Sequence, residues 1–295
     1  MLALAGYLLL APPVFVFGPL AGLLLVSRPG TVREWVWMLG GVIWSVLWLQ
    51  QIGGLGAQVA RASAVLLSGT FLALTLWRPS NGPGRALTAT LAAGAGLVIW
   101  LQQLGIGWSQ LVNGVDHDLG VYQTALGEQW RSAGASPELV QRATDAMHSA
   151  AQLFPGLLAI AGIAGLRLAW AWYHRLAARP LGAPPAPFRA FAFNDQLVWA
   201  LVAALGLALV PVPEPWRLLG ANLLLVLGTL YAVRGFAVFL AQSGRVAGPL
   251  GGVLTVIAMF LLPFVVGGLT LLGLADTWLD FRRRLSTPNT GGKVQ

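Results

Sequence analysis

A chain of 295 residues that is 57% apolar and 9% charged, with a mean hydropathy of +0.72, carries too few charges to solvate the surface of a soluble domain, where roughly a quarter of residues are charged. It contains no Cys, which excludes disulfides, thiolate metal sites and thiol nucleophiles. The formal charge of +8 is spread singly and in pairs between apolar runs, with one cluster at Arg282, Arg283 and Arg284, so it reads as membrane flanks and not as a nucleic-acid surface.

Crossing a bilayer takes about 20 apolar residues, and lipid forces backbone polar groups to pair within the spanning element. In chain order, eight stretches meet that requirement: 2–26, 35–55, 57–77, 86–104, 153–173, 196–212, 218–241 and 250–275. The first is interrupted by Pro12-Pro13. It lacks the basic leader of a secretory signal and is read as a retained span. The last contains Gly251-Gly252 and Pro263 and is expected to kink or re-enter. The expected fold is therefore all-α, a polytopic bundle of about eight segments forming one transmembrane domain over residues 1–285, with a disordered tail at 286–295.

Most connections carry turn chemistry, as in Arg28-Pro29-Gly30, residues 78–84 and residues 211–215. Two are longer. Residues 109–152 hold Asp116, Asp118, Glu128, Glu138 and Asp145 against Arg131 and Arg142. Leu119, Tyr122, Leu126 and Trp130 recur there at helical spacing. So do Leu139, Ala143, Met147, Ala150 and Phe154, after the start signal Ser136-Pro137-Glu138. Two amphipathic helices outside the hydrocarbon are expected. The other connection, 174–195, carries Arg175, Arg179 and Arg189 among prolines, and Asn194 or Asp195 is placed to cap the following helix.

Eight crossings put Arg28, Arg33, Arg78, Arg85, Arg175, Arg179, Arg189 and Arg245 on one side, against Arg61, Arg131, Arg142 and Arg217 on the other. That bias makes the Pro-rich basic connection cytoplasmic and the acidic insertion 109–152 extracytoplasmic. The tail runs against it, because Arg282, Arg283, Arg284 and Lys293 fall on the opposite side.

Polar residues within or at the ends of these segments are the candidates for function. Trp48-Leu49-Gln50-Gln51-Ile52-Gly53 recurs as Trp100-Leu101-Gln102-Gln103-Leu104-Gly105, each closing an apolar helix. Gln50, Gln51, Gln102 and Gln103 either line the mouth of a pocket for a small polar solute or face head groups, with the Trp rings in the interfacial belt. Arg234 lies deep in the seventh segment, with Asn222 and Tyr231 on the same helix. A charge there needs a partner, an anionic ligand or water, and Asp276 at the end of the last segment is the nearest carboxylate by sequence. Arg167 poses the same question more weakly. Asp116-His117-Asp118 reads as a helix cap before Leu119 and not as a metal site, since adjacent residues on a helix cannot converge on one ion. Gly18/Gly22 and Gly162/Gly165 read as close helix packing. No Walker loop, nucleophile elbow or zincin helix is present, and neither an enzymatic role nor a cofactor is expected.

The C-terminal half carries a resemblance. Pro187-Phe188-Arg189-Ala190-Phe191, Gln196-Leu197-Val198-Trp199, Ala221-Asn222-Leu223-Leu224 and Leu230-Tyr231-Ala232-Val233-Arg234-Gly235 lead to Leu272-Gly273-Leu274-Ala275-Asp276-Thr277-Trp278-Leu279-Asp280-Phe281-Arg282. Together they resemble the YybS-like family of predicted bacterial membrane proteins over about residues 150–285. Where that family has an amide-type residue before its Gly, this chain has Arg234. The resemblance implies a fold similar to the substrate-binding S components of energy-coupling-factor transporters and to the rod-shape protein MreD. Two roles follow as expectations. One is a solute-binding or transport component working with a partner ATPase. The other is a structural or regulatory membrane protein that assembles with envelope proteins.

Overall fold

The computed structural model of the protein describes residues 11–78, 84–242 and 261–281, with the side chains of Tyr122, Ala125 and Gln242 left out. Outside the described residues lie the start of the first expected segment, the 79–83 turn, Arg245, Gly251-Gly252, the Arg282–284 run, Lys293 and the tail 286–295.

The described chain is all helical: α1 (Val14–Val26), α2 (Val32–Leu49), α3 (Leu55–Trp77), α4 (Gly84–Gln103), α5 (Trp108–Ser132), α6 (Pro137–Gln152), α7 (Phe154–Leu176), α8 (Leu197–Leu209), α9 (Glu214–Gln242) and α10 (Leu262–Leu279), with a 3-10 turn at Phe188–Ala190. Among the described residues, five helices are long and apolar enough to cross a membrane, namely α3, α4, α7, α9 and α10. Three of the eight expected segments fall short there, for local reasons. Helix α1 begins only after Pro12-Pro13, which leaves 13 residues. Helix α2 has 18 residues, but these include Arg33 and Glu34, which lower its hydropathy. Helix α8 also has 13 residues, because Val210 turns extended ahead of Pro211, as a residue before proline does.

Helix α1 is the centre of the N-terminal group. It packs on α2, α3 and α7, and Phe15, Val16, Leu20, Leu23 and Leu24 are wholly buried. The small residues Gly18, Gly22 and Gly162 admit Ser68, Leu72 and Leu67 of α3 respectively, which is the close packing that their spacing predicts. The C-terminal group is built on α9, which packs on α8, α10 and α7. Helices α8 and α9 touch where Gly220 meets Ala204, Leu207 and Ala208.

The insertion forms α5 and α6, packed on each other, and α6 begins at Pro137 as the start signal predicts. Ser136 caps α6 by accepting from the Leu139 amide at 3.3 Å, with Pro137 in the first turn. Asp116 and Asp118 do not cap a helix, because α5 already begins at Trp108 and runs through them. Asp118 instead accepts from the Gly56 amide at 2.9 Å, pinning α5 to the start of α3. Asp116 meets His148 Nδ1 at 3.0 Å, joining α5 to α6.

At the opposite end, Glu34 closes a capping box with Thr31 and also receives the Ala178 amide at 2.7 Å, tying the α1–α2 turn to the segment after α7. Nearby, Arg85 donates to Thr75 Oγ1 at 3.1 Å and lies 4.6 Å over the Trp170 ring. These contacts gather Arg28, Arg33, Arg78, Arg85, Arg175 and Arg179 at one end of the bundle. Glu34 sits before the apolar stretch of α2, and the amides of Ala178, Thr31 and Gly30 with the Thr31 hydroxyl hold its carboxyl down from 4.5 to about 2. A depressed carboxylate stabilises the fold fully above its unfolded value and loses that contribution as pH falls. The melting-temperature gap between the wild type and Glu34→Gln is therefore widest at neutral pH and closes as pH falls from 4.5 towards 2. A gap that stays constant would contradict this pairing.

Candidate functional site

The site grows from a close helix crossing. Helices α9 and α10 run antiparallel and meet backbone to backbone. A Cβ on Gly235 would overlap the Leu269 carbonyl, and one on Gly273 would overlap the Tyr231 carbonyl. Only glycine allows this approach. One turn beyond Gly273, Asp276 is then brought under the side chain of Arg234.

Both charges are taken out of contact with solvent: Arg234 is 4% exposed and Asp276 1%. Arg234 Nε donates to Asp276 Oδ2 at 2.9 Å and Nη2 to the Asp276 carbonyl at 3.3 Å. The sequence-level candidate for its counter-charge is thus its partner. A second carboxylate completes the set, with Nη1 donating to Asp195 Oδ1 at 2.7 Å. The side chain of Asp195 is 59% exposed, so the guanidinium joins a buried carboxylate to one at the surface.

Neither Asn194 nor Asp195 caps α8. Gln196 occupies the cap position without a side-chain bond, Asn194 Oδ1 turns back to the Gln196 amide at 3.0 Å, and Asp195 is drawn away by Arg234. The segment leading to Asp195 lies along α9 through aromatic contacts. Phe188 and Phe191 stack at 6.2 Å, Phe188 lies 5.8 Å from Phe236, and Phe193 meets Tyr231 edge-on at 5.0 Å. The Phe193 ring also lies 5.3 Å from the Arg234 guanidinium carbon. Tyr231 is fully buried, and its hydroxyl adjoins that of Thr277. Neither hydroxyl makes a well-formed hydrogen bond.

The other expected site residues lie elsewhere. Gln50, Gln51, Gln102 and Gln103 are all exposed, at the ends of α2 and α4. Helix α2 packs chiefly on α1, whereas α4 packs on α3 and α7. Asn222 is buried and saturated by backbone: it accepts from the Gly156 amide at 2.7 Å and donates to the Gln152 and Leu218 carbonyls, both at 2.9 Å. It staples the break between α6 and α7 to α9. Asn222→Leu leaves those groups buried without partners and lowers stability by about 1–3 kcal/mol, read as a lower denaturation midpoint in detergent; an unchanged midpoint would show the staple to be dispensable. Arg167 is partly exposed and donates to the Ala186 carbonyl at 3.3 Å.

Sequence reading passed over Asp195 as the second partner of Arg234. The available signal was an intramembrane Arg facing two carboxylates that each end a connection or a helix. It also passed over Glu34, although Thr31 ahead of Glu34 carries the capping-box pattern.

Residues 1–277 match the family described as predicted membrane protein (DUF2232), and the chain belongs to that family. No curated protein and no solved structure matches it.

Proposed function

We propose that this member of a family of predicted membrane proteins is a small-solute-binding component of the transport kind, with its site at Arg234 between α8, α9 and α10. The observation that carries this reading is the set Asp195–Arg234–Asp276 beside the Tyr231 and Thr277 hydroxyls. An ionisable group inside a membrane helix is expensive to keep, and such residues mark binding sites and transport pathways. A packing clamp would need neither a second carboxylate at the surface nor two adjoining buried hydroxyls without a well-formed hydrogen bond. The stretches behind the YybS-like resemblance pack together here, through Phe191, Gly235 and Gly273 to Asp276, while Arg234 itself stands where that family has an amide-type residue. Asn222 then holds the other end of α9, and the four Gln residues contact head groups at the α5–α6 end of the bundle, away from Arg234.

In this reading the protein resides in the bacterial cytoplasmic membrane with its Arg-rich end inside and α5–α6 outside. It performs no catalysis and needs no cofactor, and a separate ATPase supplies energy if transport is active.

A second reading, a structural or regulatory protein that assembles with envelope machinery, is favoured by α2. Much of its apolar face is exposed, including Trp35, Val36, Ile43, Trp44 and Leu47, which leaves room for a partner helix as well as lipid.

A thermal-stability screen of the detergent-purified protein against pooled small polar and anionic compounds separates the two. A ligand raises the midpoint in proportion to RT ln(1 + [L]/Kd). The solute reading expects at least one pool to stabilise the wild type but not Arg234→Gln/Asp276→Asn. Stabilisation by no pool, or equal stabilisation of both proteins, contradicts it.

A further inference from the structure

The two carboxylates on Arg234 are not equivalent. Asp276 is reached by Nε and Nη2, has a fully buried side chain, and is fixed by the Gly235/Gly273 crossing. Asp195 is held through Nη1, stands 59% exposed at the end of a connection, and its withdrawal into water needs no helix to move. Arg234 presents its remaining donor capacity on that side, under the Phe193 ring and near Tyr231 and Thr277.

We infer that Asp195 is a displaceable internal ligand, and that the site takes a small solute bearing one carboxylate, which replaces Asp195 on Arg234. This rests on the solute-binding reading above and gives it a substrate class. The charge balance selects that class. With Asp195 seated, one guanidinium faces two carboxylates; after exchange the same is true, and Asp195 has returned to water. A dianion would bring an additional negative charge into a low-dielectric site, where it is strongly disfavoured. A neutral solute could not replace an ion-paired oxygen. The aromatic wall of Phe193 and Tyr231 suits an apolar body behind the carboxylate, and the adjoining Tyr231 and Thr277 hydroxyls, which make no well-formed hydrogen bond, can turn to its second oxygen.

The chain has no Cys, so an introduced thiol is unique. In full-length Thr277→Cys the thiol takes the place of a buried hydroxyl, and its reaction with N-ethylmaleimide in detergent reports opening of the site. Adding Asp195→Asn should speed labelling by up to about fivefold, the scale of one solvent-screened ion pair lost. In that background benzoate should protect the thiol, while benzyl alcohol, with the same body and no charge, and the dianion phthalate should not. Benzoate protection should vanish when Arg234→Gln/Asp276→Asn is added, a neutral pair chosen so that no buried charge is stranded. A labelling rate indifferent to Asp195→Asn, or protection by benzyl alcohol or phthalate equal to that by benzoate, overturns the inference. If benzoate fails while the compound screen still finds an Arg234-dependent stabiliser, the monocarboxylate class falls and the solute reading stands. If both fail, both fall.

Discussion

Arg234→Gln lowers the stability of the folded protein by about 3–5 kcal/mol, because it takes from the buried Asp276 carboxylate the guanidinium that pairs with it. Asp276 is 1% exposed, and its partner Arg234 supplies both a charge and a donor to its carbonyl. Removing the second charge as well should therefore help: Arg234→Gln/Asp276→Asn regains most of the loss, since two amides can hydrogen-bond without a buried ion. Asp195→Asn has a small effect on stability, because that carboxylate is solvated. Denaturation midpoints in one detergent check all three variants. A double variant no more stable than Arg234→Gln would show that the loss does not come from the stranded charge.

Gly273→Leu has the second large effect. The added side chain has backbone on its far side, the Tyr231 carbonyl and the Gly235 amide, and neither can swing away as a side-chain tip could. The α9–α10 crossing must open. Overpacking a core ordinarily destabilises by about 1–3 kcal/mol, and more where the neighbour cannot yield; this position belongs at or above that range. Opening the crossing also withdraws Asp276 from Arg234, so Gly273→Leu and Arg234→Gln should be less than additive. Additive losses in a combined variant would mean that crossing and ion pair stand independently.

What could be read from sequence was local. The apolar runs of α3, α4, α7 and α9 are marked by their length, and α6 by Ser136-Pro137, a cap and a proline acting within one turn. The assignment of Asp276 to Arg234 succeeded because candidates were few: a span that contains Arg234 must be neutralised from the carboxylates at its borders. Asp195 was missed because its role depends on where the connection 188–195 lies. Aromatic contacts with α9 decide that, and no spacing rule encodes them. Hydropathy averages over Pro12-Pro13 and Pro211, where the described backbone stops being helical, so it does not foresee that α1 and α8 have 13 residues each. The repeated Trp–Leu–Gln–Gln ends are visible in sequence, yet their exposure depends on which faces α2 and α4 turn to α1 and α3.

Native mass spectrometry of the protein released gently from its own membrane tests the claim that the Arg234 cluster is a solute site most directly. The wild type would be compared with Arg234→Gln/Asp276→Asn and with Gln50→Ala/Gln102→Ala. The expected result is a small-molecule adduct on the wild type that survives the Gln pair, disappears with the Arg–Asp pair and has the mass of a monocarboxylate. A protein that flies bare, or bound only to a protein partner and unchanged in all three forms, would contradict the site and favour the assembly reading.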